Sequence, residues 1–305
     1  MATVGVVGLG LLGSAIAARL IAAGQAVVGH DVVAERSAAL ADIGGTAAPS
    51  LEAVVGAAEV VCTVLSTPAA VEEVLLGPRG MGELGRAGQT VMQMSTISPA
   101  LTEHLAATLH ARGLVFLDCP VSGTSGMVAA GNGLFLVGGD AAAIARWRPL
   151  LESVLPRVVT VGRAGQATFL KLVANLLVGL HSAAAAEALE LARRGGLDLA
   201  LVLEVLTASA AGSRMLEVRG PLVVRGEFPP QMKLDLFLKD LRLIREAADA
   251  AGARVPLTDA ATRLYAAARD AGHGGEDLAV VARVIADGAG AAAPGPSAAD
   301  DPTGR

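Results

Sequence analysis

The chain has 305 residues, more than a single hydrophobic core usually serves, so two domains are expected. Hydrophobic residues make up 53% of the sequence but aromatic residues only 2%, which predicts helices packed closely through small side chains. The net charge of −5, without any cluster of lysine and arginine, argues against a nucleic-acid-binding surface.

The apolar segments lack the features of a signal peptide or a membrane span. Residues 1–23 have no positively charged start and are rich in glycine. Cys62 and Cys119 lie in apolar runs, where buried thiols in a reducing compartment are expected rather than a disulfide. The longest apolar stretch, residues 172–191, is interrupted by four polar or charged residues: Asn175, His181, Glu187 and Glu190. We therefore expect a cytoplasmic protein.

A strand, a glycine turn and the start of a helix are predicted within the first twenty residues. Gly8, Gly10 and Gly13 follow the apolar run 4–7 at the G-x-G-x-x-G spacing of a dinucleotide site. The first glycine permits a tight turn, the second lets the backbone approach a diphosphate, and the third lets the helix lie close to its strand. The diphosphate would rest on the free N–H groups of that helix. The alternative is a purely structural glycine-rich turn.

Asp31 follows the second predicted strand, eighteen residues after Gly13, where a carboxylate can accept hydrogen bonds from the adenosine ribose. This position favours NAD, because a carboxylate would repel the 2′-phosphate of NADP. Arg36 is near enough in sequence to leave NADP open. Asp31 could instead cap the next helix.

Strand-like and helical segments alternate through the first half, which predicts an α/β fold with a doubly wound parallel sheet of the Rossmann type. The strands are predicted at residues 4–7, 26–29, 60–65, 90–94, 115–118, 134–137 and 158–161. Residues 166–194 then predict one long helix that ends at two glycines. Further helices are predicted at residues 199–208, 215–224, 234–251, 256–271 and 276–286.

This pattern divides the chain into three parts. Residues 1–162 are expected to form the dinucleotide-binding Rossmann domain, and residues 163–287 an all-α domain, joined to it through the long helix, for substrate and oligomer contacts. Residues 288–305 are rich in alanine, glycine, proline and aspartate and are expected to be a disordered tail. The histidines are scattered and the cysteines lack C-x-x-C spacing, so no metal site is predicted.

Five segments in order make the chain resemble the β-hydroxyacid dehydrogenase family, which includes 3-hydroxyisobutyrate dehydrogenase and tartronate semialdehyde reductase. The resemblance covers residues 4–287. Its segments are GLGLLG at 8–13, STISP at 95–99, DCPVSG at 118–123, KLVAN at 171–175 and KDL at 239–241. The resemblance implies reversible hydride transfer between a nicotinamide cofactor and a small 3-hydroxy acid, or its semialdehyde.

The resemblance also implies the catalytic residues. Lys171 matches the family's catalytic lysine, and its apolar neighbours predict a desolvated amine with a lowered pKa, suited to proton exchange. Asn175 lies four residues later, one turn along the same helix face, and would orient the substrate beside the lysine. Alternatively, Lys171 is a solvated helix lysine and Asn175 only bonds a neighbouring helix. The family has a second asparagine where this chain has Ala174, so altered support is expected there.

Ser122, Gly123 and Thr124 match the segment that binds the substrate's acid group. Backbone N–H groups and a hydroxyl can converge there on a carboxylate. Family members commonly have a second glycine at the position of Thr124, so a narrower pocket or an added hydroxyl donor is expected. An ordinary Ser-Gly turn is the alternative.

The remaining matches are cofactor contacts. Besides the three glycines and Asp31, they are Leu9, Leu11, Leu12, Leu65, Ser66, Ala70, Thr96 and Lys239. Asp240 either orients Lys239 or is a solvated helix charge. Gln93 stands where the family commonly has aspartate, and Leu12 where it usually has methionine.

The predicted function is therefore an NAD-dependent 3-hydroxy acid dehydrogenase with a small-molecule substrate, no membrane or nucleic-acid partner, and a homo-oligomeric state. His181 is a rival acid/base, but it lies off the face of Lys171, where packing is expected. Two other functions stay open: an NADPH-dependent imine reductase, against which Lys171 counts, and a non-enzymatic binding module on the same fold.

Overall fold

The computed structural model describes residues 2–288, so the tail predicted from residue 288 onward lies outside the described residues except for Gly288. The first half of the chain contains a single nine-stranded sheet with helices between its strands, as the alternating pattern predicted. Its strands are β1 (Thr3–Val7), β2 (Ala26–His30), β3 (Thr46–Ala47), β4 (Val60–Thr63), β5 (Thr90–Gln93), β6 (Val115–Asp118), β7 (Val121–Ser122), β8 (Leu134–Gly139) and β9 (Val158–Gly162).

The sheet has the order β3-β2-β1-β4-β5-β6-β8-β7, with β9 paired to β8. β1 to β6 pair in parallel, in a doubly wound order that reverses between β1 and β4. The register aligns Val7, Thr63, Gln93 and Asp118 in one row at the carboxyl ends of β1, β4, β5 and β6. Residues that directly follow these four strands therefore emerge at one edge of the sheet.

The sheet is parallel-dominated, as predicted, with one strand that runs against two of its neighbours. β8 runs antiparallel to both β6 and β7. The segment between β6 and β8 holds β7 and one five-residue helix instead of a full crossover helix, so the chain returns as a hairpin. The two-residue strands β3 and β7 had not been predicted.

Alternate strand residues enter two cores, one on each face of the sheet, because successive side chains point to opposite faces. Val60 and Cys62 belong to the core that includes Ile16 and Trp147, whereas Val61 belongs to the core of the other face. Both cysteines are free and fully buried. The sheet is thus covered on both faces, as in a Rossmann fold.

The helices of the sheet-containing half are α1 (Leu11–Ala22), α2 (Ala34–Asp42), α3 (Leu51–Ala57), α4 (Pro68–Leu76), α5 (Met81–Leu84), α6 (Pro99–Ala111), α7 (Ser125–Ala129) and α8 (Ala141–Val154). The helices that follow are α9 (Gln166–Arg194), α10 (Leu199–Ala208), α11 (Arg214–Arg225), α12 (Leu234–Ala250), α13 (Pro256–Ala268) and α14 (Val281–Asp287). The fold-class prediction, a Rossmann-type domain followed by a helical domain, is confirmed.

The last helices are shorter than predicted. α13 ends at Ala268, and a wider helical turn, Arg269–His273, follows with Gly272 at a φ of 93°. The helix predicted from residue 276 begins instead with a 3-10 turn, Leu278–Val280, for which Asp277 is the N-cap. A helix cannot continue through the left-handed backbone at Gly272, so the chain restarts after it.

The chain divides into two compact units. One comprises Met1–Val178 and Lys239–Val255, and the other Gly179–Leu238 and Pro256–Arg305. The first thirteen residues of α9 and most of α12 therefore belong to the unit that contains the sheet. The domain boundary expected after residue 162 precedes α9, and it stays a prediction.

The second unit has a small polar network in its interior. The Arg219 guanidinium donates to the Asp277 carboxylate at 3.0 Å, and both side chains are buried. Asp277 also accepts hydrogen bonds from the backbone N–H groups of Gln231 and Met232. This buried carboxylate thereby holds the segment that leads into α12.

Within residues 2–288, one helix is long and apolar enough to cross a membrane by length and composition, namely α9. In its apolar window, 44% of the residues are buried inside the protein, and core helices of soluble proteins pass the same test. The buried Lys171 and Asn175 on this helix indicate a core helix.

Candidate functional site

The glycine turn has the geometry that the motif requires. Gly8 has a φ of 93°, which side chains rarely adopt, and a Cβ on Gly13 would overlap the carbonyl oxygen of Gly8. A Cβ on Gly10 would meet no heavy atom within 4 Å. Gly8 and Gly13 are thus fixed by the fold, whereas the space in front of Gly10 is open to a ligand.

The helix that follows this turn offers free N–H groups to an anion. Gly10 is the N-cap of α1 and provides no side-chain cap, and the first turn, which contains Leu11 and Leu12, carries no acidic residue. Such a helix start has unpaired N–H donors and a positive dipole end. These features fit the diphosphate of a dinucleotide.

Asp31 is nearly buried and connects the second strand to the glycine turn. Its Oδ2 accepts a hydrogen bond from the Leu9 N–H at 2.7 Å, and its Oδ1 accepts one from the Val33 N–H at 2.9 Å. The Arg36 guanidinium lies 3.3 Å from Oδ1. The Leu9 amide, predicted as a cofactor contact, is therefore engaged by the protein itself, and its side chain is in the core.

The predicted contacts on the neighbouring strands emerge at the same sheet edge. The Leu65 N–H donates to Ser95 Oγ at 2.8 Å, and Ser66 next to it is exposed. The Ala70 N–H donates to Thr67 Oγ1, the N-cap of α4. Ser95 is itself held by the buried Gln93, whose amide bonds both the N–H and the carbonyl of Ser95.

The residues around Lys171 form a connected polar group. Lys171 is 8% exposed and Asn175, one turn further along α9, is 2% exposed. Asn175 Nδ2 donates to Asp240 Oδ2 at 2.8 Å. Lys239 Nζ lies 3.1 Å from Asp240 Oδ1, an ion-pair distance without hydrogen-bond geometry, and donates to the Thr96 carbonyl at 2.6 Å.

Burial of both side chains excludes the solvated positions considered for Asp240 and Lys171. Asp240 is buried and bonded to Asn175, so it is not a solvated helix charge. Burial lowers the pKa of Lys171 from 10.5 to about 8; the negative charge of Asp240 opposes this change and the positive charge of Lys239 adds to it. An amine with such a pKa can both accept and donate a proton near neutral pH.

Segment 122–124 connects β7 to α7, within the hairpin that β7 and β8 form. Ser122 ends β7 and is half-buried, and Gly123 has a φ of 154°. Thr124 is the N-cap of α7, because its Oγ1 accepts a hydrogen bond from the Met127 N–H at 3.2 Å. Within residues 2–288, no hydrogen bond joins this segment to Lys171 or Asn175.

Asp118 and Thr168, which meet at the start of α9, had no predicted role. Asp118, at the end of β6, accepts hydrogen bonds from Gly165 and Thr168, at the start of α9. Burial raises the pKa of Asp118, and the hydrogen bonds from Thr168 and Gly165 oppose that change. The signal in the sequence was an aspartate at the end of an apolar strand, where it follows Leu117.

His181, the rival acid/base, is exposed and belongs to the other unit. Lys171, in contrast, is buried. No cluster of three or more histidine, cysteine, aspartate or glutamate side chains with metal-binding geometry occurs in the described part of the chain.

Comparisons with known proteins identify the family of this chain. The family model for the NAD-binding domain of 6-phosphogluconate dehydrogenase matches residues 3–162. The model for the NAD-binding domain of NADP-dependent 3-hydroxyisobutyrate dehydrogenase matches residues 165–285. Together the two models span both halves of the chain.

Among individual proteins, the chain is 34% identical to L-threonate dehydrogenase of Cupriavidus necator, over 92% of this chain and 95% of that one. A crystal structure of 3-hydroxyisobutyrate dehydrogenase from Salmonella typhimurium is 35% identical, with a TM-score of 0.86 over 93% of this chain and all of that one. An imine reductase from Pseudomonas sp. is 21% identical with a TM-score of 0.60, over 93% of this chain and 99% of that one, and shares the fold alone. The chain belongs to the β-hydroxyacid dehydrogenase family, and it is an NAD(P)-dependent hydroxy acid dehydrogenase.

Proposed function

We propose that this protein catalyses the reversible oxidation of a small 3-hydroxy acid, similar to 3-hydroxyisobutyrate, with Lys171 as the general acid/base. The observation that supports this most is the buried Lys171, one helical turn from an Asn175 side chain that Asp240 holds. Burying a lysine costs free energy of folding, so a buried amine with a pKa of about 8 supports a functional role over a structural one.

In this proposal the residues of α9 handle the proton. In the oxidation direction, the neutral Lys171 Nζ accepts the proton of the substrate hydroxyl. In the reduction direction, the Lys171 ammonium returns that proton to the carbonyl oxygen. Asn175 orients the reacting oxygen, and its bond to Asp240 restricts its amide to one orientation. The bound nicotinamide supplies the hydride acceptor at C4.

Ser122, Gly123 and Thr124 hold the substrate carboxylate in this proposal. The Ser122 hydroxyl and the backbone N–H groups of the segment are suitable donors. Thr124 uses its Oγ1 as an acceptor for the α7 cap, so its hydroxyl hydrogen is the part left to donate.

We infer NAD as the preferred cofactor, with NADP open. The nearly buried Asp31 carboxylate supports NAD, since it would face the ribose hydroxyls and repel a 2′-phosphate. Gly8, Gly10, Gly13 and the α1 start would hold the diphosphate. The other proposed contacts are Leu9, Leu11, Leu12, Leu65, Ser66, Ala70, Thr96 and Lys239.

The assembly and location are also proposals. Exposed apolar side chains at Leu197, Leu201 and Val205 follow one face of α10 and its approach, which supports a homo-oligomer through the helical part. The free buried cysteines support a cytoplasmic enzyme. The domains are proposed at residues 1–162 and 163–287.

The test is a spectrophotometric panel of small 3-hydroxy acids, including 3-hydroxyisobutyrate and L-threonate, with NAD and NADP in parallel. Lys171→Ala should lower turnover by about 10²-fold or more while NAD binding survives, and the exposed Lys233→Ala serves as the matched control. Turnover retained by Lys171→Ala would refute the proposed proton carrier.

Adding a cyclic imine with NADPH to this panel separates the other functions. Reduction of a cyclic imine by NADPH, without hydroxy acid turnover, would support an imine reductase. The absence of any cofactor-dependent turnover would support a binding module. The intact Lys171, Asn175 and Ser122 favour the hydroxy acid reaction over both.

A further inference from the structure

The start of α9 is held by a carboxylate that comes from the sheet. Asp118 Oδ2 accepts hydrogen bonds from the N–H groups of Gly165 and Thr168, both at 2.9 Å. Its Oδ1 accepts the hydroxyl of Thr168 at 2.6 Å. Asp118 and Thr168 are both fully buried.

Within residues 2–288, this cap differs from most of the other helix caps. Many of the other helices are capped by the residue directly before their first turn, which satisfies N–H groups but does not connect the helix to another element. Those local caps are Ser50, Thr67, Ser98, Thr124, Asp140, Asp198 and Ser213. Asp118 instead lies 47 residues before Gly165 and is paired on both sides within the sheet, to Gln93 of β5 and Gly138 of β8.

The face of α9 that Asp118 holds is the face that carries the proposed chemistry. Lys171 and Asn175 follow Thr168 by three and seven residues, so at 3.6 residues per turn the three side chains lie on one side of the helix. All three are buried. The hydroxyl and N–H bonds of Thr168 therefore fix the rotation of this face about the helix axis.

We propose that Asp118 and Thr168 are positioning residues that set where the Lys171 amine lies relative to the reacting oxygen. Asn175, bonded to Asp240, holds the same face one turn beyond the lysine. Lys171 thus lies between two anchored positions on one helix. This inference rests on the proposed role of Lys171 as the acid/base.

Thr168→Val tests the proposal because valine has nearly the same shape but lacks the hydroxyl. We expect kcat to fall about tenfold while KM for NAD stays within about twofold, since small misplacements of a catalytic group are costly. Thr168→Ser keeps the hydroxyl and should restore kcat. Asp118→Asn keeps an acceptor oxygen but no charge, should also lower kcat, and serves if Thr168→Val does not fold.

Asp140→Ala is the control for loss of a cap. It removes the bond from the Ala143 N–H to Asp140 at the start of α8, so it should lower the urea midpoint and leave kcat unchanged. Wild-type kcat in folded Thr168→Val and Asp118→Asn, whatever their stability, would overturn the positioning role. Lys171→Ala, measured in parallel, distinguishes the two failures, since its retained turnover would overturn the proposed function instead.

Discussion

Replacing the proposed catalytic lysine should stabilise the folded protein at neutral pH. The folded-state pKa of Lys171, about 8, lies below the ordinary value of 10.5, so between these values the unfolded chain binds more protons than the folded one. The free energy of unfolding therefore decreases as the pH falls from 10.5 to 8, and the full decrease is present below pH 8. Since one pKa unit corresponds to about 1.4 kcal/mol, Lys171 costs the folded state about 3 kcal/mol at pH 7 and about 1 kcal/mol at pH 10.

Lys171→Met removes this cost while it keeps an unbranched chain of similar length. Urea unfolding of the wild type and the variant at pH 7 and pH 10 should show a stability gain that is about 2 kcal/mol larger at pH 7. The contribution of methionine packing cancels in that comparison, because it does not depend on pH. Lys233→Met, at an exposed position, controls for loss of a lysine. An equal gain at both pH values would refute the reasoning.

Three further outcomes are expected. In the oxidation direction kcat/KM should rise with pH around a midpoint near 8, because only the neutral Lys171 accepts a proton, and in the reduction direction the trend should reverse; identical profiles in both directions would contradict this. Gly13→Ala should unfold or inactivate the protein because its Cβ would overlap the Gly8 carbonyl, whereas Gly10→Ala should fold with an unchanged melting temperature and weaker NAD binding by titration. Tight NAD binding by Gly10→Ala would argue that no diphosphate lies there. Asp31→Asn should lower the ratio of kcat/KM for NAD to that for NADP, since it removes the charge that repels a 2′-phosphate, and an unchanged ratio would exclude Asp31 from cofactor choice.

Local patterns were sufficient for much of the fold. The β1–α1–β2 unit and α9 were predicted because each has a strong periodicity and clear glycine stops. β3 and β7 were missed because two residues have no periodicity. The reversal at β8 depends on which strand it pairs with, and that choice is made by distant residues.

The candidate site was predictable where its residues share one element. Lys171 and Asn175 were related by helical spacing alone. Asp118 and Thr168 are fifty residues apart and meet only through the sheet, so no local pattern could join them. For Asp240 the sequence alone did not show whether the carboxylate is solvated or buried, and the structure shows it buried and bonded to Asn175.

The bond between the Asp31 carboxylate and the Leu9 amide has a consequence for redesign of the coenzyme preference of this enzyme. The oxygen that binds the Leu9 amide belongs to the same carboxylate that would recognise the adenosine end of the cofactor. Any swap that discards this side chain to accommodate a phosphate also releases the backbone beside Gly8 and Gly10. An engineer who wants the other coenzyme must therefore supply a replacement acceptor for that amide along with the new cationic group.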